Sequence, residues 1–147
     1  MSIKVSTGLR NGVLGTGSLK ARLDGKVLKI YAGMAPATAD SALGGATLLS
    51  TISDDATGTG LTFDGTPING VLFKNPAQIW RGVNAASGTA SFYRLQDISD
   101  DDSASTVNER VQGSVGVAGA DLNISSVSLT SGASQNIDFY SIELPTA

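Results

Sequence analysis

The chain has 147 residues and contains neither cysteine nor histidine. This composition excludes disulfides, thiolate metal sites and every nucleophile system that uses histidine as its base. The net charge is −3, and 18 glycines with only 5% aromatic residues predict many turns around a core of aliphatic side chains.

The charges are unevenly distributed along the chain. Residues 1–31 hold six basic groups and one acid, a balance of +5, whereas the remainder holds four basic groups and twelve acids, a balance of −8. This split can orient a subunit against a charged neighbour, and ordinary solvated surface charge is the alternative interpretation. The basic residues are scattered and have only Tyr31 as an aromatic neighbour, so we expect no specific nucleic-acid binding. No apolar run approaches the roughly 20 residues that span a bilayer, so no membrane partner is expected.

One or two short helices are predicted in the first 25 residues. Ser6 or Thr7 can cap the first helix, and the glycines that follow limit its length. In the stretch SLKARLDG, Ser18 is the predicted cap of the second helix, and Gly25 suits the position just past its end. We expect this N-terminal segment, residues 1–25, to pack on the rest of the chain as part of one domain.

Short strands are predicted after the helices. Alternating apolar and polar residues indicate strands at 26–32 and 47–53, and a third at 71–73 that follows a glycine-bounded turn. Leu61 and Phe63, two residues apart, are expected to share one face of an extended segment.

A β-hairpin is predicted in the middle of the chain, with strands at 78–84 and 89–96 joined by small residues. In such a hairpin Trp80 contacts Phe92 or Tyr93 across the strand pair. Because aromatic residues are sparse, these rings favour positions in the core. If they lie on an exposed rim, they are instead interface anchors or, together with Tyr31, a platform for stacking sugars.

The stretch SDDDSAST, residues 99–106, is the most polar part of the chain and is predicted to be a mobile, solvated loop. Together with Asp97, the acids Asp100, Asp101 and Asp102 are the one metal-like cluster, since calcium prefers oxygen ligands. The spacing, the central glycine and the closing glutamate of an EF-hand are missing. Solvated turn residues are therefore the favoured interpretation, and calcium binding stays open.

The chain ends in two ribbons of alternating polar and apolar residues, within 121–145. Each ribbon shifts its phase once, at Ser125–Ser126 and at Tyr140–Ser141. A β-bulge explains such a shift, and so does the end of one strand and the start of another. Either way, each ribbon is expected to bury one face, which places Phe139 on the same face as Ile137 before the second shift and Leu144 on the same face as Ile142 after it.

Together these elements predict a mainly β fold. We expect an antiparallel sandwich or barrel-like domain with one or two short N-terminal helices, extending as a single β-rich structural domain over residues 1–147.

Two stretches of the chain carry a resemblance to known proteins, residues 6–40 and residues 80–97 with 110–145. Their shared features are the STGLRN opening, the KIYAG strand and loop, the GTASFYR return strand and the RVQGSVGVAGADLN turn. In this ordered pattern the chain resembles small tailed-bacteriophage proteins of the virion-structural class, which are described as capsid-associated.

The resemblance implies a component of the virion. From the residues themselves we expect a non-enzymatic protein, made in the host cytoplasm, that works without a cofactor or metal. Its implied partners are the major capsid protein, other virion subunits and further copies of the chain in a homo-oligomer. Capsid decoration is the first expectation and a neck or tail component the second, while a glycan-binding module and a carboxylate hydrolase remain alternatives. The candidate interface residues are Lys4, Arg10, Trp80, Phe92 and Tyr93.

Overall fold

Eleven strands and two helices, joined by turns and loops, lie within residues 3–144, the part of the chain that the computed structural model describes. The predicted domain and the predicted last ribbon also include residues 1–2 and 145–147, which lie outside the described residues. The elements in chain order are β1 (Lys4–Val5), α1 (Thr7–Gly15), α2 (Leu19–Leu23), β2 (Val27–Ala32), β3 (Thr47–Asp54), β4 (Val71–Phe73), β5 (Trp80–Val83), β6 (Gly88–Gln96), β7 (Val111–Gly116), β8 (Leu122–Asn123), β9 (Ser128–Leu129), β10 (Ser134–Ile137) and β11 (Ser141–Glu143).

Nine of these strands form one sheet with the order β1-β7-β6-β2-β3-β5-β10, in which β8 also pairs with β7 and β9 with β6. The β7–β8 pair is parallel and the other pairs are antiparallel. β4 and β11 form a separate two-stranded antiparallel sheet, here called the small sheet. The mainly β, sandwich-like fold with two short N-terminal helices is therefore confirmed.

Side-chain caps begin both helices. The Ser6 hydroxyl accepts the Leu9 amide at the start of α1, so Ser6 is the cap of this helix, and the Ser18 hydroxyl accepts the Ala21 amide at the start of α2. Gly25, just past α2, has a φ of 92°, a left-handed conformation that glycine adopts without steric cost. Leu9 and the last residue of α2 are buried and join the helices to the core.

The strands predicted from local alternation are observed. β2 and β3 match the predictions at 26–32 and 47–53 to within one residue at each end, and β4 covers 71–73. Leu61 and Phe63 are both buried in the main core cluster, which agrees with their predicted common face.

The predicted hairpin at 78–84 and 89–96 is wrong. Both strands exist, as β5 and β6, but β2 and β3 lie between them in the sheet. The small residues between the two strands do not turn back on themselves, because they bond to other elements. The Ala85 amide donates to the Leu49 carbonyl of β3, and Asn84 bonds to the loop after β9.

The phase shifts in the last quarter of the chain are breaks between strands, and the bulge interpretation is wrong. β8, β9, β10 and β11 are four separate strands with four different partners: β7, β6, β5 and β4. Burial follows the predicted alternation only in part. Ile137 and Ile142 are buried, whereas Phe139 and Leu144, which were expected to share their faces, are 64% and 59% exposed.

The strands β2, β6 and β7 are buried on both faces. One face, here called the apolar face, places Leu28, Ile30, Tyr93, Leu95 and Val111 in the hydrophobic core. The opposite face, here called the polar face, carries Lys29, Tyr31, Arg94, Gln96 and Gln112. Residues paired across neighbouring strands project to the same side of the sheet, so the strand register places each of these two sets of side chains on one face.

Candidate functional site: the buried polar face

The polar face is a row of long polar side chains covered by two loops. Arg94 on β6 lies between Lys29 on β2 and Gln112 on β7, and both Arg94 and Gln112 are buried. The Gln112 amide group donates to the Pro36 carbonyl and the Arg94 guanidinium donates to the Ser41 carbonyl. The loop after β2 is therefore held on the sheet by side chains that project from the strands beneath it.

The second covering loop is held by a buried ion pair. Arg110, just before β7, donates from Nε to Asp100 Oδ2 at 2.6 Å and from Nη2 to Asp100 Oδ1 at 2.7 Å. The two side chains are 0% and 2% exposed. Arg110 also donates to the carbonyls of Ala39 and Ser103, one in each loop. One guanidinium thus joins both loops to the sheet through four hydrogen bonds.

The pair between Asp100 and Arg110 is held in its ionised form. Burial by itself raises the pKa of the Asp100 carboxyl, but the hydrogen bonds from Arg110 and from the Asp102 amide outweigh it and leave this pKa below its usual value. The hydrogen bond to Asp100 raises the pKa of Arg110. A paired, fully bonded carboxylate can remain charged inside a protein because its lone pairs are occupied.

A second arginine connects to the same loop. Arg94 donates to Gln112 Oε1 at 2.9 Å and to Asp102 Oδ1 at 3.1 Å, and the Tyr31 hydroxyl donates to Asp102 Oδ2 at 2.6 Å. Burial and the bond to the Asp102 carboxylate both raise the pKa of Tyr31, so its hydroxyl stays protonated and remains a donor. The Gln96 Oε1 atom is buried here without a hydrogen-bond partner among the described residues.

The prediction of solvated acids is wrong for Asp100 and Asp102, two of the four acids in this cluster. Asp100 and Asp102 bind the buried arginines, and Asp97 accepts a 2.9 Å bond from the buried Lys26 ammonium. Asp97 and Asp101 are both exposed, and Asp101 accepts from Ser103. Within residues 3–144 no three acidic side chains are placed to hold a metal ion. The sequence pattern missed this arrangement because the arginines that neutralise the loop belong to other elements.

Several basic residues of the N-terminal part of the chain form ion pairs with acids of the same chain. Lys20 pairs with Asp24, and Arg22 and Lys26 both reach Glu109, at 3.4 Å and 3.6 Å. The two contacts to Glu109 tie the segment around α2 to the residues before β7, which neither the neighbour-orienting nor the solvated-charge interpretation anticipated.

Two of the predicted interface residues, Lys4 and Arg10, are exposed and make no ion pair within residues 3–144. The Lys4 ammonium donates to the Ala37 carbonyl, and the Arg10 guanidinium donates to Thr7 Oγ1. Both cations therefore remain available on the surface beside β1 and α1.

The predicted aromatic interface residues are core residues. Trp80, Phe92 and Tyr93 are 1%, 1% and 0% exposed. Trp80 packs on Tyr140 at 5.7 Å between ring centroids, the Tyr93 hydroxyl bonds the Tyr140 hydroxyl, and Phe92 stacks on Tyr31 at 5.0 Å. The core interpretation of these rings is confirmed. The interpretations as surface anchors and as a sugar-stacking platform are wrong for these three, because none presents a face to solvent.

An exposed apolar surface that the sequence pattern did not indicate lies on the small sheet. Val71 and Phe73 project outward from β4, since Leu72 between them is buried. Ile68 forms a bridge with Val71, and Phe139 packs edge-on against Phe73 at 6.0 Å. We call Ile68, Val71, Phe73 and Phe139 the small-sheet patch. Phe139 was missed because its alternation with Ile137 predicted burial.

Two shallow clefts open on the surface. One, of about 240 Å³, adjoins the small-sheet patch and is lined by Asp64, Lys74 and Asp138. The other, of about 120 Å³, lies at the edge of the polar face between Lys4 and Asp121. Both are smaller than the roughly 300–1,000 Å³ typical of small-molecule sites.

Comparison of the chain with protein-family models finds no match, and searches of the curated proteins and of the solved structures find none either. Within residues 3–144, neither helix has the length and apolar character needed to cross a membrane. The resemblance to virion structural proteins stays a prediction from sequence motifs.

Proposed function

We propose that this chain is a non-enzymatic structural subunit of a tailed-bacteriophage virion and that it decorates the capsid shell. Its partners are the major capsid protein, neighbouring virion subunits and further copies of itself. The particle class comes from the sequence resemblance. The structural observation that carries the proposal is the small-sheet patch, where Phe139 stays 64% exposed beside Phe73.

The small-sheet patch supports a role in surface contacts. Aromatic and aliphatic side chains exposed together mark protein interfaces more often than they occur by chance on a monomer surface. A shell protein needs only modest affinity at each such contact, because many symmetric copies act together and raise the effective concentration.

The buried polar face supports a role that depends on constant shape. Arg94 and Arg110 bind the two covering loops through charged hydrogen bonds, which are directional and hold loops in one geometry. A decorating subunit must present the same surface at every lattice position, and loops fixed in this way meet that requirement.

A reconstruction of the intact particle tests the proposal. We expect the chain on the outer shell in hundreds of copies, with the small-sheet patch against a neighbouring subunit. About six to twelve copies in a ring would instead indicate the neck or tail location. If the chain is missing from purified particles, the proposal is wrong.

A variant comparison tests the role of the patch in the particle. Shells assembled with Phe139→Ser should lose heat and low-salt tolerance, as we also expect of shells that lack the chain, because the exposed ring no longer fills its contact. Val117→Ser is the matched control, since Val117 is 62% exposed and lies outside the patch. Equal tolerance of the two variant shells would contradict a contact through the patch.

A further inference from the structure

We infer that the small-sheet patch of one copy of this chain binds the outer face of α1 on a second copy. The inference rests on the proposed function in one respect, the expectation that copies of the chain meet each other. It adds the two surfaces that make the contact and the charges that align them.

The outer face of α1 consists of Arg10, Val13 and Leu14. These residues are three and four positions apart, so they project from one side of the helix. Leu14 is 86% exposed, and Leu9 is the one fully buried residue of α1. The inner side of the helix approaches the chain so closely at Gly8 that a Cβ there would lie 2.1 Å from a backbone oxygen. α1 is thus pressed to the domain on one side and presents apolar side chains to solvent on the other.

The small-sheet patch offers a matching apolar surface. Strand register places Val71 and Phe73 opposite Glu143 and Ser141, all on the outer side of the small sheet. The Phe139 ring, two residues before the start of β11, extends this surface beside Phe73. A ridge of two aliphatic side chains from α1 can pack on the Phe73 and Phe139 rings, as apolar helix faces do on hydrophobic surfaces.

The charges around the two surfaces are complementary. Asp64, Asp138 and Glu143 surround the small-sheet patch and have no ion-pair partner within residues 3–144. Lys74, the neighbouring cation, lines the same cleft as Asp64 and Asp138 and offsets one of the three negative charges, so the acids remain in excess. Arg10 makes no ion pair within residues 3–144, where its guanidinium donates to Thr7 Oγ1 and the Asp40 carboxylate is the acid near enough for Arg10 to help lower its pKa. It is the charged residue of the outer face of α1. One surface is therefore apolar and negative, and the other apolar and positive.

A second copy is the occupant that these observations favour. Leu14 and Phe139 both remain exposed in the single chain, so the two surfaces do not cover each other within one molecule. Two different surfaces that bind each other form a heterologous, head-to-tail contact. Such a contact repeats until it closes into a ring or continues across a lattice, which suits a subunit of a symmetric shell.

Charge reversal in the purified full chain tests the contact. Sedimentation equilibrium from micromolar to millimolar concentration should show self-association of the wild type. Arg10→Glu and Asp138→Arg should each weaken it about tenfold or more, because reversal places like charges together. The double variant Arg10→Glu/Asp138→Arg should associate to within about threefold of the wild type, since the attraction is restored with opposite polarity.

Two controls make the result specific. Asp101→Arg reverses an exposed acid in the loop after β6 and should leave association unchanged. Unfolding curves of all variants should coincide with that of the wild type, because the reversed residues are exposed. Leu14→Asp should also weaken association, since it removes the most exposed apolar side chain of α1 without disturbing the core.

The inference is wrong if the wild type stays monomeric at millimolar concentration, if the single reversals have no effect, or if the double variant associates no better than either single variant. These outcomes are separate from the particle test. A chain that occurs in virions but fails the charge exchange overturns only the contact. A chain absent from virions that passes the charge exchange overturns only the proposed particle role.

Discussion

On one side of β2, β6 and β7, Leu28 and Leu95 pack in the hydrophobic core, whereas on the other side the same strands place Tyr31, Arg94 and Gln112 beneath two loops. Both sides are buried, but they are held by different forces. Apolar packing is non-directional and can adjust to a change of shape. Buried charges are stable only while each has its partner, so the polar face should respond far more sharply to small chemical changes.

The largest effect is expected from breaking the buried ion pair. Arg110→Met leaves the Asp100 carboxylate buried without its partner and should lower the free energy of unfolding by about 4 kcal/mol. Urea denaturation measures the loss. Arg81→Met removes one side of the exposed pair between Arg81 and Asp55 and should cost less than about 1 kcal/mol.

The double variant Asp100→Leu/Arg110→Met separates the charge effect from general damage. Replacing both partners removes the unpaired charge, so most of the lost stability should return. If the double variant is as unstable as Arg110→Met alone, the loss does not come from the unpaired carboxylate.

Conservative substitutions at two neighbouring residues compare the faces directly. Arg94→Lys keeps the charge but cannot reach Gln112, Asp102 and the loop carbonyl together, and should cost about 2 kcal/mol. Leu95→Met, on the opposite face, conserves volume and should cost less than about 1.5 kcal/mol. Urea denaturation of both variants gives the comparison. A larger loss of stability for Leu95→Met would contradict the greater sensitivity of the polar face.

The two helix caps also differ in burial, and smaller effects on stability are expected when each is removed. The buried Ser6 hydroxyl accepts the amides of Leu9 and Arg110 and donates to the Asn108 carbonyl, so Ser6→Ala should cost about 2 kcal/mol. Ser18 is exposed and accepts one amide, so Ser18→Ala should cost about 1 kcal/mol. Thermal unfolding of the two variants should rank them in this order; equal losses would show that burial of the cap is unimportant.

The smallest expected effect on the free energy of unfolding is that of changing the pH near neutrality. Because the folded state lowers the pKa of Asp100, the stability from its pair is complete above the unfolded value of about 3.9 and is lost as the pH falls through the folded value. Burial raises the pKa of Tyr93 and Tyr140, so stability should also fall above about pH 10. Urea denaturation across pH should show a plateau between these limits, with a weaker acid decline in Asp100→Asn. An unchanged acid decline in that variant would contradict the role of Asp100.

Local features of the fold were predictable from the sequence. Ser6, Ser18 and Gly25 mark the helix ends through short-range hydrogen bonds and backbone preference, and alternation placed β2 and β3 almost to the residue. Strand partners were not predictable in this way. The small residues before β6 suggested a hairpin, but bonds to β3 and to the loop after β9, both distant in sequence, direct that segment elsewhere.

The polar face was missed for a related reason. On β6, Arg94 and Gln96 alternate with Tyr93 and Leu95, a pattern that normally indicates one solvated face of a sheet. The available signal was chemical: an acidic run that ends at Asp102 is followed eight residues later by Arg110. Sequence alone does not show that this arginine and Arg94 lie beneath the acids, because loop closure brings them together. The exposure of Phe139 was missed because a strand ends just before it.

Amide hydrogen exchange of the wild-type chain tests the central claim most directly, namely that buried charges hold the two covering loops on the sheet. The amides of Asp100, Asp102 and Ser105 donate to acceptors in the loops, and we predict that they exchange slowly, with protection that is lost in Arg110→Met while β2 stays protected. Rapid exchange of these amides in the wild type, at the rate of a solvated loop, would contradict the account.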